Sequence, residues 1–138
     1  MKYDLLGATN ETCPTRYLLA RLEGKWKTLI LYHLLNGTQR PGELERRIGG
    51  VSRQVLTQQL KELEADGLVQ KTVFAEVPPR VEYTLSDFGR SLEPVLDQLY
   101  ALGRHYVQHV RPRPGPDQPY CRKLVPTAEE VLFGPAAG

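Results

Sequence analysis

The sequence predicts a mainly α fold carrying one β-hairpin, an α+β chain with a tail. Three observations predict it. Apolar residues recur at helical spacing through four stretches before Gly67, and again from about Ser91. One block, 68–85, switches to β-branched and alternating residues around Pro78-Pro79-Arg80. Beyond Val110, six of the eleven prolines fall in the last 28 residues. With 138 residues and 41% apolar content, the chain can bury one ordinary core.

Composition excludes several classes. Lys and Arg total 18 against 16 acids, a formal charge of +2, so neither a polybasic tail nor an acidic solvating chain describes the whole. No apolar run approaches the ~18 residues of a membrane span, and the N-terminus lacks the apolar core of a signal peptide. Cys13 and Cys121 make neither a disulfide framework nor a zinc spacing, and a reducing cytoplasm is the expected compartment. His105 and His109 stand i, i+4, but lack a third ligand and read as surface histidines. No cofactor is expected. No Ser/His/Asp set or paired carboxylates support an enzyme.

The elements follow in order. Residues 1–12 form an arm. Pro14 suits a first helical position, and Tyr17, Leu18 and Leu22 share a face up to Glu23. Lys25 to Leu35 is an apolar helix with Trp26, Leu29, Ile30, His33 and Leu34 at helical spacing, ended by Asn36-Gly37. A short helix spans about Glu43–Ile48, and Gly49-Gly50 supplies a tight turn. Ser52 caps a helix from Arg53 to Asp66, stopped by Gly67. Leu56, Leu60 and Leu63 form its inner stripe. Strands over 68–77 and 81–85 make a hairpin. Ser86 or Asp87 caps a long helix to Val110, which Pro94 kinks or splits. Residues 13–110 read as one domain; 111–138 form a Pro-rich linker and tail, with a short helix over Thr127–Phe133.

This order of helices, tight turn, polar-faced helix, hairpin and long helix is that of a winged helix-turn-helix. The chemistry of the polar-faced helix suits double-stranded DNA, since a helix fits the major groove and its first residues meet base edges. Gln54 and Gln58 can bond adenine, Arg53 can take guanine or a phosphate, and Thr57 can meet a thymine methyl. Ser52 can reach a phosphate. Lys61 lies on the same outer side, and Arg80 at the hairpin tip is a phosphate or minor-groove candidate. Over residues 40–80 seven basic residues nearly balance six acidic ones, so what matters is their separation in space.

The chain resembles the HxlR-type family of bacterial transcription regulators, which are similar to MarR-type winged-helix dimers. The resemblance rests on Cys13-Pro14, Gly24-Lys25-Trp26, Glu43-Leu44, the run Val51 to Leu60, the run Leu63 to Val69, the run Val77 to Leu85, and Gly89-Arg90. It departs from the family at Pro41, where Phe is usual, and near Leu102, where Trp is common. The resemblance implies a homodimeric DNA-binding regulator responding to electrophiles, oxidants or small metabolites.

Physics points to the same dimer. The helix ending at Val110 is too apolar for a solvated face. Leu92, Leu96, Leu99, Leu102 and Tyr106, with Tyr17 and Leu18, are its expected seam. Two recognition helices would then sit about 34 Å apart, calling for an inverted-repeat operator. Cys13 is the sensor candidate, because a helix start favours its thiolate. In some relatives the cysteine at this place senses oxidants, and Cys121 of a second chain is the weaker candidate partner. A regulator gated by a non-covalent ligand, and a winged-helix protein-interaction module that does not bind DNA, remain open alternatives.

Overall fold

The computed structural model describes residues 2–4, 6–7, 9 and 11–111. Cys121, the Pro-rich linker and the Thr127–Phe133 helix expected from sequence lie outside the described residues. The chain divides into two compact units, Met1–Arg90 and Ser91–Gly138, inside the stretch 13–110 that the sequence presents as one domain.

Before the unit boundary the described residues form α1 (Pro14–Leu22), α2 (Lys27–Leu35), α3 (Pro41–Ile48), α4 (Arg53–Ala65), β1 (Val69–Phe74) and β2 (Arg80–Leu85), with α5 (Asp87–Ser91) following. The core of this unit is Leu22, Ile30, Leu31, Leu34, Leu44, Leu56, Leu60, Leu63, Leu68, Val69, Tyr83 and Leu85, all buried. The inner stripe expected on α4 is fully buried. On α2 the stripe differs from expectation. Trp26 caps the helix from outside it, Leu29 is exposed, and Leu31 is buried instead. α3 starts two residues before the expected Glu43. Pro41, lacking an N–H, fills a first-turn position that needs no donor, and Glu43 bonds the Arg40 N–H.

α4 is closed at both ends by its own sequence. Ser52 Oγ accepts the Val55 N–H at 3.1 Å. At the other end Gly67 has φ +80, and the Leu68 N–H reaches the Leu63 carbonyl at 3.0 Å, a Schellman closure. That closure turns the chain directly into β1.

The hairpin pairs Val69 with Leu85 through Phe74 with Arg80. β1 ends at Phe74, three residues short of the expected Val77, because Glu76 N–H folds back on the Phe74 carbonyl and Pro78 and Pro79 have no ladder donor. A feature absent from the sequence reading is a bridge between Gln39 and Tyr83, each donating its N–H to the other's carbonyl. It ties the α2–α3 connection to the hairpin. Below the hairpin, Ser86 Oγ bonds the Gly67 carbonyl, and the chain enters α5 (Asp87–Ser91). Gly89 lies so close to Leu68 that a Cβ there would sit 2.2 Å from the Leu68 oxygen.

The single long helix expected after Ser86 is interrupted at Leu92, and α6 (Glu93–His105) carries Pro94 in its first turn. Proline cannot donate to the preceding turn, so the break falls where the sequence put it. A π-helical turn, Tyr106–Val110, follows. Leu92, Leu96 and Ala101 are buried, whereas Val95, Leu99, Leu102, Tyr106 and Val110 are 46–63% exposed. Of the expected seam residues, Leu92 and Leu96 are thus buried, and Leu99, Leu102 and Tyr106 are exposed. Val95 and Val110 extend the exposed stripe.

Candidate nucleic-acid interface

α4 presents Arg53, Gln54, Thr57, Gln58 and Lys61 to solvent, every one exposed, while its three leucines face the core. Ser52 is also exposed; accepting from Val55 uses one lone pair of its oxygen and leaves its hydroxyl proton to donate. The Thr57 hydroxyl donates to the Arg53 carbonyl at 2.8 Å, which leaves its methyl and the lone pairs of its oxygen for a partner. The sequence-predicted residues of α4 therefore do fall on one accessible face.

The arginines are less free than the sequence suggests. Arg53 Nε donates to Glu45 of α3, an ion pair that joins the two helices of the helix-turn-helix. Arg80 is held more firmly. Its guanidinium lies 3.3 Å from both Glu76 and Glu82 and stacks 3.9 Å from the Phe74 ring centroid. The stacking and the two carboxylates organise the hairpin tip and offset its charge. Between β1 and β2 the charges are Lys71, Glu76, Arg80 and Glu82, two of each sign. The tip itself, Val77-Pro78-Pro79, is exposed and apolar. Arg40, Arg53 and Arg80 nonetheless line one cleft of about 450 Å³ between the start of α3, the start of α4 and the hairpin.

Sequence reasoning missed Lys27 and Glu62. Lys27 is 8% exposed, and its Nζ lies 2.9 Å from Glu62 Oε2 on α4. Lys27 holds the Glu62 carboxyl below its ordinary value, with help from Gln58. The available signal was the one lysine in the mostly apolar α2, which had to be either exposed or paired. The partner was not readable, because it lies on another helix far along the chain.

Cys13 stands at the N-cap of α1, half-buried, ahead of Pro14. No close cap hydrogen bond forms, yet the N–H groups of Arg16 and Thr15 lower the thiol pKa, and the Arg16 charge adds to this. Beside it, Thr12, Pro14, Tyr17, Leu18, Arg21, Asp66, Leu68 and Phe88 contribute to a groove of about 600 Å³. Tyr17 is 57% exposed and carries the Arg21 guanidinium 4.3 Å from its ring centroid.

Comparison with known proteins agrees with this architecture. Residues 21–111 match the model of the HxlR-like helix-turn-helix family. The chain is 51% identical over 87 residues to the uncharacterized HTH-type transcriptional regulator YtcD of Bacillus subtilis (strain 168), which covers 63% of this chain and 69% of YtcD. The redox regulator HypR in its reduced form matches with a TM-score of 0.66 and 41% identity, covering 68% of this chain and 93% of HypR. The reduced form of the transcriptional regulator YodB from B. subtilis matches with a TM-score of 0.62 and 30% identity, covering 73% of this chain and 97% of YodB. A helix-turn-helix with a hairpin wing, matched over most of its length by regulators rather than enzymes, makes this chain a member of the HxlR-like helix-turn-helix family of transcriptional regulators.

Proposed function

We propose that the protein is a repressor that binds an inverted-repeat DNA operator as a homodimer, with α4 as the recognition helix. The observation that carries this reading is the exposed face of α4. Five polar side chains capable of bonding bases or phosphates stand on a helix whose inner face and both ends are secured. The exposed stripe of Val95, Leu99, Leu102, Tyr106 and Val110 supports the homodimer, since contiguous apolar surface of this kind marks an interface. Phosphate contacts would supply much of the affinity, which would fall steeply with salt. The cytoplasm, reducing and DNA-containing, is the compartment that fits.

Cys13 is the proposed sensor of oxidants or electrophiles. Its lowered pKa raises the thiolate fraction, the reactive form. HypR, a redox regulator, has reduced and oxidized forms, and YodB has been solved after diamide treatment. A disulfide from Cys13 to Cys121 of a second copy would pass two electrons and two protons to an oxidant such as diamide. A second reading, gating by a non-covalent effector, is favoured by the aromatic-lined groove beside Cys13.

A gel shift on the DNA upstream of the protein's own coding sequence tests the reading. Binding should be lost in the Arg53→Ala, Gln54→Ala double variant; unchanged binding would leave a protein-interaction module as the better account. Diamide should release DNA from the native chain and not from Cys13→Ser. Release from both removes Cys13 as the sensor.

A further inference from the structure

Three arginines from three separate parts of the chain meet in the cleft between the start of α3, the start of α4 and the hairpin. They are not equivalent. Arg80 is already neutralised. One terminal nitrogen lies 3.3 Å from Glu76, the other lies 3.3 Å from Glu82, and the guanidinium is stacked on Phe74. Arg40 is exposed and enters no ion pair among the described residues.

Arg53 begins α4, yet its guanidinium does not run along that helix. Its Nε donates to Glu45, and its Nη2 lies 3.3 Å from where a Cβ at Gly42 would stand. Both residues belong to α3. The side chain therefore leaves α4 and lies across the first turns of α3, over a glycine that leaves it room. With Nε engaged, its two terminal nitrogens keep their N–H groups for a ligand. Two uncommitted guanidinium edges, from Arg40 and Arg53, thus share one open cleft. The planar donor fork of arginine matches the oxygens of a phosphate.

We propose that this cleft seats one phosphate of the DNA backbone, held jointly by Arg40 and Arg53, so that Arg53 is a backbone contact and not a reader of guanine. The cleft opens at the residue that begins the base-reading face of α4, where the strand flanking an occupied major groove must pass. Glu76 lines the same cleft and opposes the phosphate. Its charge restrains a contact that carries no sequence information. The inference rests on α4 being the recognition helix and adds Arg40 and Glu76 to the interface.

The test is DNA binding by the full-length protein across a range of salt. Two duplexes are compared, one enriched from a random library and one unselected. Arg40→Ala and Arg53→Ala should each weaken binding to both duplexes about tenfold, with the enriched base profile unchanged. The double variant should lower the slope of log affinity against log salt by about 0.9 per bound protomer, the value for one shared phosphate, against roughly 1.8 for two separate ones. Glu76→Gln should strengthen binding to both duplexes about two- to fivefold, a gain that misfolding does not mimic. Inorganic phosphate should compete no better than chloride at equal ionic strength. Stronger competition that disappears in Arg40→Ala would make free phosphate the ligand and overturn the proposal. So would a preference flattened at one base position in Arg53→Ala, a slope change near 1.8, or unchanged or weaker binding in Glu76→Gln. A native protein that binds neither duplex overturns the recognition-helix reading and this proposal together. Enrichment of a sequence with unaltered affinity in Arg40→Ala overturns this proposal alone.

Discussion

α4 and α6 are both 13-residue helices, and both bury apolar side chains on one side, yet their outer faces are opposites. α4 buries Leu56, Leu60 and Leu63 and shows solvent Arg53, Gln54, Thr57, Gln58 and Lys61. α6 buries Leu96 and Ala101 and shows Val95, Leu99 and Leu102, a stripe continued by Tyr106 and Val110. The inner faces have the same task of paying for folding by burial. The outer faces therefore carry the functional information. A polar face with unspent hydrogen-bonding groups is suited to base edges and phosphates, and an apolar face is suited to protein.

The sharpest way to break the comparison is to give α6 the outer face of α4. Leu99→Glu with Leu102→Glu should yield a monomer by sedimentation and weaken operator binding by roughly 10²–10⁴-fold, the loss expected when two linked sites become independent. A dimer that survives this change would place the seam elsewhere. Next in size is the inner face of α4. Leu60→Ala should lower stability in urea by about 2–5 kcal/mol, because the removed methyl groups leave a cavity in the core. The neighbouring outer-face change Gln54→Ala should leave urea stability within about 0.5 kcal/mol and cost about 1–3 kcal/mol of operator discrimination, read by fluorescence anisotropy. A variant that lost both alike would mean that the two faces are not separable.

Two smaller effects probe titration. Alkylation of Cys13 should reach half its maximal rate at a pH below the ~8.5 of a free cysteine, because the N–H groups of Arg16 and Thr15 favour the thiolate. A midpoint at or above that value would remove the electronic basis for sensing. His33 on α2 has its pKa lowered by burial and by the Arg47 charge. The folded chain then binds this proton less readily than the unfolded one. The corresponding stability is present above ~6.5 and declines as the pH falls below it. His33→Gln should flatten that part of the pH–stability curve, and an unchanged slope would assign it to other groups.

Much of α4, the proposed recognition helix, was legible in the chain. A Ser N-cap, a leucine stripe at spacings of four and three, and a Gly stop are local signals, and local signals suffice to place a helix and its faces. The wing was legible as a hairpin, but its charge was not. Arg80 looks like a free cation in sequence, whereas Glu76, Glu82 and Phe74 surround it in the folded chain. The proposed seam was legible as an apolar period, but its division into buried Leu92 and Leu96 and exposed Leu99, Leu102 and Tyr106 was not, since periodicity names a helix's apolar residues without saying which of them a neighbour covers.

By itself, the sequence determined the order of elements, the two ends of α4 and the break before α6, because capping, glycine and proline act within a few residues. It also determined that Cys13 would sit at a helix start. Only the tertiary structure decided which charges are spent. The Lys27–Glu62 and Arg53–Glu45 ion pairs, like the backbone bridge between Gln39 and Tyr83, join separate parts of the chain, and no local rule links their positions. The physical reason is range. Backbone conformation is set by neighbours in the chain, whereas burial and ion pairing are set by neighbours in space, which exist only after the helices have packed.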